Sequence, residues 1–158
     1  MNGPTIRPLT EGERALAAEM FGDALLLDTI RMLAAPWPVF RAFVAGRWFG
    51  RDWIVWPRAE AAPDFALEPI RRQAVLIHEL VHVWQAQSGV GLAGAKLRAG
   101  FSDAAYLYPD KPCGWNALNI EQQAMVVQHR FLQSRGVNVP PAHAHFDRLC
   151  PLARRMEI

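Results

Sequence analysis

The sequence predicts an α+β fold in which a small β-hairpin or sheet packs on two longer helices. Residues 69–88 and 119–133 repeat apolar side chains at helical spacing, whereas residues 39–56 hold two β-rich runs separated by glycine. A chain of 158 residues has the size of one domain, enough to bury roughly 70% of its unfolded surface. A single domain over residues 1–158 is therefore expected. Its composition, 51% hydrophobic and 20% charged, excludes wholesale disorder.

The first helix is announced by Thr10 and Glu13, which have the spacing of a capping box. Leu16, Ala17, Met20 and Phe21 follow at helical intervals, and Gly22 can close the helix. "DALLLDTIRMLAA" runs into Pro-Trp-Pro and suits either a short strand or a half-buried helical turn. In "FRAFVAGRWFGRDWIVWP", β-rich runs around 39–45 and 52–56 flank Gly46 and Gly50, and Pro57 closes the hairpin. "RAEAAPDFALEP" reads as a loop.

The helix at 69–88 takes Pro69 as its first residue and has Gly89 just past its end. Ile70, Ala74, Ile77, Leu80, Val81 and Trp84 give it a wide apolar face. Residues 89–118, with five glycines, two prolines and two tyrosines, form a long connection with room for one short helix. A connection of that length inside a domain is usually functional. Ile120, Ala124, Val127 and Phe131 line the next helix, which Gly136 ends, and the tail after Pro140 has no clear pattern.

Charge and cysteine content exclude several functional classes. The formal charge is +2, and the arginines are scattered among acids rather than gathered in the broad basic stripe of a nucleic-acid footprint. Cys113 and Cys150 make no CxxC pair and read as free thiols of a reducing compartment. The N-terminal residues show no apolar signal segment, and no apolar run approaches the ~20 residues that span a bilayer. A soluble protein made in the cytoplasm is expected, with export open through a secretion system that reads no signal peptide.

The chemistry concentrates in "LIHELVHVWQ", residues 76–85. On a helix, His78 and His82 project from nearly one line, so both imidazoles can reach one zinc ion. Glu79 lies about 100° round the helix from His78, poorly placed as a ligand but well placed to take a proton from a water that the metal activates. Two histidines and a glutamate within an otherwise apolar helix are costly unless something satisfies them. Gln85 and Ser88 stand where a metzincin would carry its glycine and third histidine, which excludes that class. The remaining candidates for a third ligand are Glu121, His129, His143, His145 and Asp147. Glu121 sits in a first helical turn, where the dipole favours its charge. His143 and His145 would share one face of a strand, but beside Pro140 and Pro141 they read as surface.

"FGDALLLDTIR", "LIHELVHVWQ" and "NIEQQA", in that order, resemble the zincin superfamily in its gluzincin branch. More narrowly, the chain resembles small bacterial Vgr-related proteins akin to the metallopeptidase domain found with extracellular contractile injection systems. The likeness runs from about residue 8 to residue 133. It implies a zincin-like fold, zinc on His78 and His82, Glu79 as general base and Glu121 as third ligand. Such enzymes usually add a Tyr or His at the oxyanion, for which Tyr106 and Tyr108 are the nearest counterparts and Tyr106 is the candidate.

The expected function is zinc-dependent hydrolysis of a peptide or protein substrate. The substrate would lie along an edge strand near "RDWIVWP", with Trp53 and Trp56 lining the cleft. The alternative is a zinc-containing binding or assembly module attached to secretion-apparatus components, without proteolysis. A further variant is an effector peptidase acting in a neighbouring cell after injection.

Overall fold

In the computed structural model, which describes residues 3–152, alternation along the strands decides which face of the sheet is covered. Strand β1 (Thr5–Arg7) pairs antiparallel with β2 (Ile30–Ala35). β2 pairs parallel with β4 (Arg51–Pro57), and β4 pairs antiparallel with β3 (Phe43–Trp48), giving the order β1-β2-β4-β3. Ile30, Met32, Ile54 and Trp56 occupy alternate positions and all join the principal core, as the two-residue period of a strand requires. The ambiguous segment resolves into a 3-10 turn at Leu27–Thr29 followed by β2.

The hairpin is present, with two corrections. Its turn lies at Phe49 and Gly50, while Gly46 sits inside β3 at an irregularity between Val44 and Gly46. "RDWIVWP" is also not an edge. It is β4, bonded on both sides, and the free edge belongs to β3. The cause is the parallel β2–β4 pairing, a non-local contact that a local hairpin pattern cannot reveal.

Five α-helices accompany the sheet among the described residues. Helix α1 (Glu11–Phe21) opens with the expected Thr10–Glu13 capping box and closes at Gly22. Helix α2 (Ile70–Gln87) begins one residue later than expected, with Pro69 as its N-cap. Gly89 and Val90 donate to the carbonyls of Ala86 and Gln85, a Schellman ending that Gly89 permits through its φ of 95°. Ala74, Ile77, Leu80 and Val81 are buried along α2, whereas Ile70 at its mouth is exposed.

Helix α3 (Leu92–Ala99) is the short helix within the long connection. Helix α4 (Ile120–Ser134) starts from an Asn119–Gln122 capping box and packs along α2. Helix α5 (His143–Leu149) occupies the unreadable tail, so His143 and His145 are helical rather than on a strand. Cys113 and Cys150 are not bridged.

Glu13 couples these layers. Fully buried, it accepts two hydrogen bonds from Arg7 (2.7 and 2.8 Å), one from the Thr10 amide and one from the Phe65 amide (both 2.9 Å). One carboxylate thus ties β1, the start of α1 and the turn at Phe65–Leu67. That turn is so close that a Cβ on Gly12 would sit 2.7 Å from the Ala66 Cβ. Glu13→Ala leaves two amides without an acceptor and strips the Arg7 guanidinium of its carboxylate, leaving it the Pro8 and Ala62 carbonyls, a loss on the order of 3 kcal/mol. Urea unfolding of the two proteins measures it, and a loss below about 1 kcal/mol would contradict this role.

Candidate metal centre

His78 and His82, one turn apart on α2, both face α4, and their ring centroids lie 4.9 Å apart. Glu121, in the first turn of α4, points back at them. Its Oε2 is 3.0 Å from His78 Nε2 and 3.2 Å from His82 Nε2. All three side chains are buried, and their ligand atoms lie within 4.8 Å of one another.

The outer nitrogens fix the tautomers. His82 Nδ1 donates to Gln85 Oε1 (2.8 Å), and His78 Nδ1 donates to Gln128 Oε1 (2.9 Å). Gln85 cannot be turned over, because its amide nitrogen already donates to the Ile120 carbonyl and to Gln123 Oε1. With the proton on Nδ1, each neutral ring aims a bare Nε2 lone pair at a carboxylate oxygen. Three acceptors facing one another repel, so the arrangement calls for a cation between them. A proton on an imidazole is one answer. Burial lowers the His82 pKa, but the Glu121 and Glu79 carboxylates outweigh burial and raise it. A divalent metal is the other answer, and two imidazoles with one carboxylate are a zinc donor set.

Lys96 of α3 takes the second oxygen of Glu121 at 2.5 Å and also donates to the Tyr106 hydroxyl at 3.1 Å. Burial pushes the Glu121 carboxyl up, yet the two histidines and Lys96 hold it well below the usual carboxylate range. The Lys96 ammonium is likewise disfavoured by burial and restored above its ordinary value by Glu121 and Tyr106.

The centre lies on the floor of a cleft of about 490 Å³. Residues 41–45, leading into and along the edge strand β3, form one wall, and α3 with Phe101 and Tyr106 forms the other. Glu79 also lines this cleft, and its Oε2 is buried without a hydrogen-bond partner among the described residues. A buried carboxylate oxygen in that state calls for a polar ligand.

The structure brings together His78, Glu79, His82, Glu121 and Tyr106, whose ring is centred 5.8 Å from that of His78. The other candidates are elsewhere. Tyr108 Oη and His129 Nδ1 share a hydrogen bond (2.7 Å), away from the cleft. His143, expected at the surface, is buried and donates to the Val126 carbonyl (2.9 Å). His145 donates to the Cys113 carbonyl, and Asp147 accepts from Arg130. Trp56 stacks on Phe65 in the core, and neither it nor Trp53 lines the cleft. Reasoning from sequence passed over Lys96, Gln128 and the buttressing role of Gln85. Gln85 carried a signal, standing one turn beyond His82, and Gln128 stands two turns beyond Glu121.

No protein-family model matches the chain. It is 32% identical over 155 residues to the type VI secretion system spike protein VgrG2b of Pseudomonas aeruginosa, a match spanning 89% of this chain. The solved effector domain of Pseudomonas aeruginosa VgrG2b superposes with a TM-score of 0.66 at 27% identity, covering 93% of this chain and 81% of that one. The chain is homologous to that effector domain. It spans 14% of the whole VgrG2b spike protein. The Vgr-related resemblance is thereby supported, and the α+β architecture is one that the VgrG2b effector domain shares.

His129, outside the cleft, gives a pH signature of its own. Burial, aided by the charges of His143 and His78, lowers its pKa from 6.5 to about 4. As pH falls below 6.5 the unfolded chain takes up this proton before the folded one does. The stability that His129 contributes is complete above pH 6.5 and is lost as pH falls through about 4. Thermal melts across that window should show a shallower fall in Tm for His129→Gln than for the native protein. Equal slopes would contradict the assignment.

Proposed function

We propose that the chain is a zinc-dependent peptidase domain delivered as an effector by a type VI secretion apparatus. The observation that carries this reading is the convergence of His78 Nε2, His82 Nε2 and Glu121 Oε2 on the floor of an open cleft, beside a buried Glu79 oxygen with no partner among the described residues. Likeness to the VgrG2b effector domain supports the delivery half.

His78, His82 and Glu121 would hold zinc. When bound there it would supply Lewis acidity, making a water acidic near neutral pH and polarising a scissile carbonyl. Glu79 accepts the proton of the attacking water and passes it to the leaving amine. An extended peptide would add to the free edge of β3, which forms one wall of the cleft. Because Lys96 donates to the Tyr106 oxygen, the hydroxyl's own hydrogen is left to donate to the developing oxyanion. Lys96 therefore acts as a positioning residue for both Tyr106 and Glu121.

A second reading is a zinc-bearing binding or assembly module without hydrolysis. What favours it is the match to a spike protein of a secretion system.

Two measurements separate these readings. Elemental analysis after zinc loading and dialysis should give one zinc per chain, lost on Glu121→Ala and kept when His143 and His145 are both replaced by Ala. Metal retained by Glu121→Ala but lost from the double variant would refute the ligand set. Glu79→Gln should keep zinc while hydrolysis of peptides selected from a mixed library falls by at least ~100-fold. A variant as active as the native protein would overturn the base assignment, and a zinc-loaded native chain that cleaves nothing favours the module.

A further inference from the structure

The covered face of the sheet leaves its other face to explain. Ile6, Leu33, Val55 and Phe43 are paired in register and form a row across all four strands, opposite the face that joins the core. Ile6 and Phe43 are exposed. Beyond this row the hairpin and its leading loop present Trp37, Phe40, Trp48 and Phe49, all exposed.

The composition of residues 36–51, "PWPVFRAFVAGRWFGR", is unusual in what it omits. It has three arginines, Arg41, Arg47 and Arg51, no acid, and no Ser, Thr, Asn, Gln, His or Tyr. None of the three guanidiniums joins an ion pair among the described residues.

The tip adds a second observation. Phe49 (φ 53°) and Gly50 (φ 70°) are both left-handed, as in a two-residue type I′ turn. Asn or Gly suits the first of these positions, and a bulky side chain there is strained. Phe49 nevertheless occupies it with 96% of its surface exposed. The strain keeps a large apolar side chain at the outermost point of the hairpin.

We propose that this hairpin is a contact surface for an anionic lipid bilayer. Aromatic rings settle at the level of lipid headgroups, and arginines bury their stems while keeping charge among phosphates. A protein partner is recognised through side-chain donors and acceptors together, whereas residues 36–51 offer only donors, the three arginines and the indoles of Trp37 and Trp48, and no side-chain acceptor. A second copy of the chain would bring those same arginines against each other. A fluid surface of apolar chains and phosphates demands no fixed geometry and complements both features. Arg41 and Phe43 also line the cleft, so docking brings the cleft wall to the membrane surface.

The test is co-sedimentation of the full chain with vesicles of phosphatidylcholine alone or mixed with phosphatidylglycerol. Binding is expected only to the anionic vesicles and is released by salt. Arg47→Gln with Arg51→Gln should lower partitioning about 25-fold, at roughly five-fold per basic residue. Phe49→Asn should lower it by about 10-fold or more, while raising Tm because Asn-Gly suits the turn. That rise shows the loss is not unfolding. Absence of binding to any vesicle, or binding that neither variant weakens, overturns the proposal. So does a concentration-dependent dimer that Phe49→Asn abolishes, which would give the surface to a second copy.

Discussion

One buried convergence, a carboxylate oxygen set against two imidazole nitrogens, is the constraint that the centre of this protein is built around. Glu121 Oε2 lies within 3.2 Å of a nitrogen from each of two histidines on the facing helix, and all three groups are buried. Such a convergence is repulsive unless positive charge lies within it. The surrounding structure is arranged to keep the three groups in place despite that cost. Ala74, Ile77, Leu80 and Val81 of α2, with Ala124, Val127 and Phe131 of α4, share one apolar core. The Asn119 capping box sets where α4 begins, and so which residue of its first turn looks at α2. The centre is a packing consequence before it is a chemical one.

What could be read in the sequence follows the range of each interaction. Helical periodicity and capping are local, so α1, α2, α4 and their glycine endings were legible, as was the shared face of His78 and His82. Glu121 was only partly legible: its first-turn position favoured its charge, but the residues left it one of five candidates and the resemblance singled it out. The β4 edge assignment failed because β2 inserts β4 between itself and β3 through a parallel pairing that no local pattern encodes. His143 was misjudged for a similar reason. Pro140 and Pro141 suggested a solvated tail, whereas the chain turns there into α5 and buries the ring against the Val126 carbonyl. Lys96 gave no local signal at all. Its role exists only because α3 folds across the cleft and meets Glu121, 25 residues further along the chain.

The edge strand serves two surfaces at once, and this constrains its sequence. Val44 packs toward the core beside the cleft, while Phe43 faces outward on the uncovered side. An exposed apolar edge invites pairing with another chain. Here Arg41 and Arg47, near the two ends of β3, oppose such pairing by charge, and the irregularity at Val44 and Gly46 interrupts the ladder that a second edge would need. The edge can receive a short extended segment without becoming a seam for aggregation.

The groups behind the ligands bear on what kind of centre this is. A ligating histidine commonly donates its outer N–H to a carboxylate, which makes the ring a stronger base. Here both rings donate to glutamine amides, which fix orientation without adding negative charge. Lys96 draws charge from Glu121 at the oxygen that does not face the histidines. A metal held by these three groups would therefore feel weaker donors and remain a stronger Lewis acid. Structural zinc sites favour the opposite, a closed shell of thiolates or histidines around a saturated ion. On the proposed reading, neutral backing, an ammonium on the carboxylate and an open cleft above the floor suit a metal that would polarise a bound group better than one that would hold the fold together.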